Sequence, residues 1–484
     1  MTEVSLKEKT AKGLFWGGIG TFLQQIIGLI FGILIARILS PDDYGLVAML
    51  AIFTAIANTI MDSGFSNALI NRKIIKHEDY NAVFWFSLFS GLLIYIILFF
   101  SAPLIAEFYK QPVLVDLSRL LFLSFLFSSL GIAHNAFLLK NIMAKQRGII
   151  DFCSVLCSGI IGLILALNGY VFWGLAVQAI TQSFVSTVLR WYFSSWRPTF
   201  RIDFSPLKEM LGFSSKVFIT SIIVQLTGNI LSIVFGRYYG AVQTGYYAQG
   251  NKWVSLGSTV MNGMLLNVAQ PVLVQANDDR ERLVNIFRKM IRFGAFISFP
   301  CLLGLAFVGK EFILITVGEK WIDSLFFLQS FCVWGSFSFI WLLYTNMLLS
   351  LHKSNIYMWS VLFLSILQIG IVVCMISASI KIMTVVYILG NFEGILFSHY
   401  YINKLIGLRL RDVIKDLFPY LFSTLISIFV GWLVVITIDY NNYLNLLIKI
   451  VVVALIYIVI MKKSKSIIFK ESIGFLKRIL GKNK

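Results

Sequence analysis

Residues 36–49 read ARILSPDDYGLVAM and divide two long apolar runs, 14–35 and 45–66. Pro41, Asp42, Asp43 and Gly45 are turn formers, and Asp42 is expected to cap the helix that follows. Two hundred residues later, 236–249 read GRYYGAVQTGYYAQ, with Arg237 and Gly245 in the places of Arg37 and Gly45. A polar turn between two runs of about 20 apolar residues is the signature of two membrane-spanning helices. Only helices or closed barrels satisfy every backbone group in hydrocarbon.

The rest of the chain repeats that pattern. Of its 484 residues, 58% are apolar and only 13% charged, whereas soluble domains carry roughly twice that share of charge. Cutting at polar and Gly/Pro-marked breaks predicts spans at 14–35, 45–66, 82–105, 114–138, 149–167 and 170–189. Six more follow at 213–236, 247–271, 288–309, 325–350, 356–379 and 383–403, and a last pair at 416–438 and 443–461. The first run lacks a small-residue cleavage site, so it reads as a permanent span and not a signal peptide.

Fourteen spans put both termini on one side. Net charge is +18, which in a soluble chain would suggest nucleic acid. Here 31 basic residues fall on the terminal side and nine on the other. That bias predicts cytoplasmic termini and leaves no nucleic-acid partner to explain. The segment 278–292, DDRERLVNIFRKMIR, and the tail 462–484 read as amphipathic helices at the inner interface, in contact with anionic lipid. Cys153, Cys157, Cys301, Cys332 and Cys374 lie in apolar segments without pairing or metal spacing, so they read as packing residues. The four histidines are scattered, and no nucleophile elbow or phosphate-binding loop occurs. The chain reads as neither an enzyme nor a cofactor or metal protein.

The offset of 200 extends beyond the two turns. Gln25/Gln225, Gly28/Gly228, Arg37/Arg237, Gly45/Gly245, Thr59/Thr259 and Asn67/Asn267 are among the identities between 5–67 and 205–267. Six spans separate the copies, so both cross the membrane in the same sense, as in transporters built from parallel repeats. The expected architecture is all-α: a six-helix lobe at 1–200, a second at 201–405, an added helix pair at 406–462 and a basic tail at 463–484. Spans 1, 2, 7 and 8 should line a path between the lobes.

KTAKGLFWGG (9–18), LIARILSPDDYGLVAM (34–49), MDSGFSNALINRK (61–73) and NAVFWFS (81–87) resemble the start of the colanic acid and teichuronic acid exporter group. That group belongs to the multidrug/oligosaccharidyl-lipid/polysaccharide flippase superfamily. The resemblance implies a V-shaped bundle opening alternately to each side. Its implied cargo is an undecaprenyl-diphosphate-linked oligosaccharide for a surface polymer such as O-antigen, capsule, exopolysaccharide or teichuronic acid. It also implies a polysaccharide polymerase acting on the exported unit. An ion-coupled multidrug exporter of the same superfamily is the alternative, and a membrane-embedded polymerase or acyltransferase is a second.

A diphosphate calls for cations and N–H donors, and sugars for amides and hydroxyls. The spans expected to line the path supply Gln24, Gln25, Asn58 and Asn67 in the first lobe, and Gln225, Asn229, Lys252, Asn262 and Asn267 in the second. Amides in membrane helices also bond neighbouring helices, and for any one of them that is the commoner role. Arg37 and Arg237 run against the charge bias; they either guide the diphosphate or snorkel to lipid headgroups. Asp62 and Glu393 are carboxylates within spans, the natural candidates for coupling to a proton or sodium ion. A neutral or paired carboxylate locking two helices is the other reading of each.

Overall fold

The computed structural model describes the chain except for residues 1–2, 63, 66–68, 70–71, 73–74, 276–278, 352, 438–440 and 480–484. Side chains at 3–19, 21, 209–217, 264, 266–275 and 475–479 are likewise outside the description. The described residues are helical throughout, with no strand among them. The first helices are α1 (Glu3–Ile38), α2 (Pro41–Met49), α3 (Ala51–Asp62), α4 (His77–Tyr109), α5 (Leu114–Leu121) and α6 (Leu123–Lys140). Then follow α7 (Ala144–Leu167), α8 (Val171–Phe193), α9 (Ser205–Tyr238), α10 (Gly240–Gln275), α11 (Arg280–Ser298) and α12 (Gly304–Thr316). The last are α13 (Ser324–Ser350), α14 (Ser354–Cys374), α15 (Ile380–Ile406), α16 (Leu410–Thr437), α17 (Asn442–Lys463) and α18 (Ile467–Ile479).

Every expected span falls on one of these helices, or on a run of them. Twelve segments among the described residues are long and apolar enough to cross a membrane. The remaining two expected spans lie on α1, whose apolar stretch is Phe22–Ile38, and on α10. Much of α1 and of the end of α10 lies outside the described side chains, so these two spans rest on the sequence.

The turn at 36–49 is closed differently from expectation. Ser40, not Asp42, is the N-cap: Asp43 N–H donates to Ser40 Oγ (3.3 Å), and Ser40 N–H donates to Asp43 Oδ2 (2.8 Å). Pro41 takes the first helical position, where no N–H is needed. Asp43 is buried by this reciprocal box while Asp42 stays exposed. The sequence alone points to Asp42; only the box identifies Asp43, three residues after the cap.

The chain clusters into two compact units, 1–245 and 246–484. In the first, α1 lies along α7 and α7 along α8. A Cβ on Gly20 would stand 2.7 Å from Gly148 Cα, and one on Gly159 2.3 Å from the Phe31 ring. Small residues thus let the two backbones approach, the main source of helix affinity where lipid removes the hydrophobic drive. Helix α9 packs along α3 and α4 in the same unit. The linker between α8 and α9 is strapped to α4: Asn81 Nδ2 donates to Arg201 O (2.6 Å) and Thr199 N–H donates to Asn81 Oδ1 (2.9 Å). Trp85 Nε1 adds a bond to Thr199 O (2.8 Å).

In the second unit, Phe287, Phe299, Phe339, Tyr344, Met347 and Ile402 are at or near zero exposure and form the core. The stretch 278–292 is not a separate surface helix. From Arg280 the helix runs through a π-helical turn, Phe299–Leu303, straight into α12. Pro300 sits in that turn, where its missing N–H and its ring disturb the regular ladder. Two of the charges of 278–292 meet protein: Arg288 grips Asp416 through two bonds (2.7 and 3.1 Å), and Lys289 pairs with Glu471 of the tail helix (2.8 Å), while Arg280, Glu281 and Arg282 stay exposed.

Candidate functional site

The two turns that match in sequence also meet in space, within the first unit. A Cβ on Gly45 would stand 1.8 Å from Ala241 O, and one on Gly245 1.8 Å from Pro41 O. Residues 41 and 241 are related by the offset of 200, as are 45 and 245, so each copy offers the same glycine and the same carbonyl to the other. This is the geometry of a self-complementary two-fold contact. Any side chain at either glycine would drive the backbones apart. Beside it, Gly236 lies against Met49 and Tyr109. The two arginines differ: Arg237 stacks over Phe108, 5.3 Å from the ring centre, and donates to Phe108 O, while Arg37 is exposed.

The first unit gathers many of the residues selected from sequence. Gln24 and Gln25 are half-buried on α1, Asn58 is exposed on α3, and Gln225 and Asn229 are half-buried on α9, the neighbour of α3. Asn229 Nδ2 donates to Gln225 O (2.9 Å), so one donor is spent on its own helix. Asp62 is half-buried at the end of α3. Asn67 lies outside the described residues.

The second unit holds the others. Lys252 is half-buried on α10, its ammonium 6.0 Å from the Trp253 ring centre. Asn262 Oδ1 is buried without a hydrogen bond among the described residues, and the Asn267 side chain is outside the description. Glu393 faces outward from α15. Its neighbours Asn391 and His399 are the buried ones: Asn391 bonds Gln368 of α14, and His399 Nδ1 meets Tyr344 Oη at 2.9 Å.

Two features of this unit were not selected from sequence. Gln249 is fully buried with neither amide atom bonded among the described residues. Lys449 of α17 pairs with Glu311 of α12 (Nζ to Oε1, 2.7 Å), Glu311 buried and Lys449 largely so, and the ammonium also lies 4.7 Å from the Phe307 ring centre. The signal was present only in part: Lys449 is a lone charge in an apolar run, whereas Glu311 stands beside Lys310. Their partnership spans 138 residues and has no local mark. A cavity of about 520 Å³ beside this pair is lined by α12, α17 and the π-helical turn, and none of the residues selected from sequence lines it. No cluster of His, Cys, Asp or Glu among the described residues could hold a metal ion.

The profile of a family described as "Polysaccharide biosynthesis protein" matches residues 34–325, from the first turn through the second and beyond. The chain belongs to that family. It is 30% identical over 338 residues to the lipopolysaccharide biosynthesis protein WzxC of Escherichia coli (strain K12), covering 69% of this chain and 68% of that one. It is 26% identical over 334 residues to the teichuronic acid biosynthesis protein TuaB of Bacillus subtilis (strain 168), covering 68% and 69%. Among solved structures, the lipid II flippase MurJ in an inward closed conformation superposes with a TM-score of 0.75 at 16% identity, over 94% of this chain and 99% of that one. This member of the family therefore has the fold of the lipid II flippase MurJ.

Proposed function

We propose that this protein is a flippase, carrying undecaprenyl-diphosphate-linked oligosaccharide units across the cytoplasmic membrane for surface polysaccharide synthesis. Both termini are cytoplasmic in this reading, as the 31-to-9 distribution of basic residues supports. The observation that carries it is the reciprocal contact of Gly45 and Gly245 with Ala241 and Pro41. Two symmetric turns touch backbone to backbone, a contact that parts and re-forms as a unit, as alternating access requires of one face of a transporter. Amides on α1, α3 and α9 of the same unit supply sugar-bonding groups, and Asp62 is the candidate for coupling to a proton or sodium ion. The exported unit then passes to a polymerase on the outer face.

Deleting the gene tests the reading. Lipid-linked units should accumulate on the cytoplasmic leaflet, inaccessible to an added glycosidase in intact spheroplasts, and surface polymer should vanish. A deletion strain with normal surface glycan and new drug sensitivity would support an ion-coupled multidrug exporter instead.

A further inference from the structure

Helix α7 opens AKQRGIID, which puts Arg147 and Asp151 one turn apart on the same face. Helix α8 returns antiparallel beside it, through the tight turn at Asn168–Gly169, and ends at Phe193. Arg190, in its last turn, therefore lies at the same end of the bundle as Arg147. Two bonds pin that turn to α6: Thr187 Oγ1 donates to Phe127 O (2.8 Å) and Trp191 Nε1 to Leu130 O (2.9 Å). Between them the Arg190 side chain crosses Gly131, where an added Cβ would stand 3.2 Å from Nη1.

The three charges interact: Asp151 with Arg190 and Arg147, and the two arginines with each other. Yet among the described residues neither guanidinium makes a hydrogen bond or an ion pair within 4 Å. Arg72 and Arg288, by contrast, each hold an aspartate at 2.9 Å or less. Both arginines are only half-buried, so part of each side chain remains accessible. Gly20 on Gly148 and Phe31 on Gly159 fix α1 parallel to α7, each pair eleven residues on from the last. That register sets Gln24 level with the turn holding Asp151.

We propose that Arg147 and Arg190 dock the diphosphate of the lipid-linked substrate, with Gln24 beside them; this rests on the flippase reading above. Each guanidinium offers five donors in a planar fork suited to phosphate oxygens, and helix ends lie at the depth of lipid phosphates. Asp151, near both arginines, weakens anion binding by its own charge. A bulk phospholipid phosphate offers the same chemistry, so the test separates the two sources.

Full-length protein in nanodiscs of phosphatidylcholine would be titrated with undecaprenyl diphosphate and, separately, with phosphatidylglycerol. The undecaprenyl lipid should bind about tenfold tighter or better. Arg147→Gln and Arg190→Gln should each weaken it roughly tenfold, the loss of one charge-assisted contact. Asp151→Asn should tighten it, and Arg190→Lys should keep part of the affinity, a pattern misfolding would not produce. Wild-type affinity in the folded double variant Arg147→Gln/Arg190→Gln would overturn the site, as would equal losses for both lipids. Either result leaves the flippase reading intact, since that reading falls only if the deletion strain keeps its surface glycan.

Discussion

A single carboxylate within a membrane span is costly, and the structure separates the two found from sequence. Asp62 is half-buried at the end of α3, in the unit that holds the paired turns, while Glu393 faces outward from α15. Asp62→Asn should therefore abolish surface polymer while the protein still accumulates in the membrane, and Glu393→Gln should leave polymer near wild type. Immunoblotting of membranes beside polymer staining checks both, and wild-type export by Asp62→Asn would end its coupling role. Lys449 and Glu311 make a different kind of claim. Removing one partner of a buried pair typically costs about 3–5 kcal/mol, because the other charge is left uncompensated, whereas replacing both by apolar groups of similar size is often neutral. Lys449→Met should lower the unfolding temperature in detergent, and Lys449→Met with Glu311→Leu should recover most of the loss.

Among elements, the paired turns are the most exacting. The would-be Cβ at Gly45 or Gly245 lies 1.8 Å from a carbonyl oxygen, well inside any tolerable contact, so the backbones themselves must shift. Gly45→Ala and Gly245→Ala should each expose a cysteine placed at Gln243 to a membrane-impermeant thiol reagent faster than in the unmutated background. An unchanged labelling rate would mean the turns have another way to stay closed. The pairing was legible in part: the offset of 200 matched the glycines, and the reason they cannot vary appears only when the two copies touch. The segment 278–292 was read from its own amphipathic pattern, which carries no mark of distant partners. Its arginines look solvated in a linear pattern, yet Arg288 bonds Asp416, 128 residues away. Arg147 and Arg190 were likewise counted as topology signals, since a count of charges by side says nothing about which are left without a carboxylate. Span lengths, set by hydrocarbon thickness, were the most readable property.

At the scale of the whole molecule, the repeat and the compact units describe different properties. The repeat proposes lobes at 1–200 and 201–405. The clustering boundary at 245/246 reflects α9 packing along α3 and α4. If export requires the turns to part, tying them together must stop it. Cysteines in place of the exposed residues Asp42 and Val242, in a background without the five native cysteines, would be joined by a reducible bis-methanethiosulfonate linker. Export should cease on treatment and return on reduction; continued export by the joined protein would show that the contact does not open during the cycle.

The Glu311–Lys449 pair also bears on how the protein is made. A ribosome adding roughly 5–20 residues per second takes about 7–28 s to cover the 138 residues between the two positions. Throughout that interval Glu311 has entered the membrane and its counter-charge has not been synthesised. Until α17 arrives the carboxylate lacks its native partner, so the nascent bundle is a client for quality control. A chain stopped just before that helix would carry every element of both repeats and still be marked for degradation.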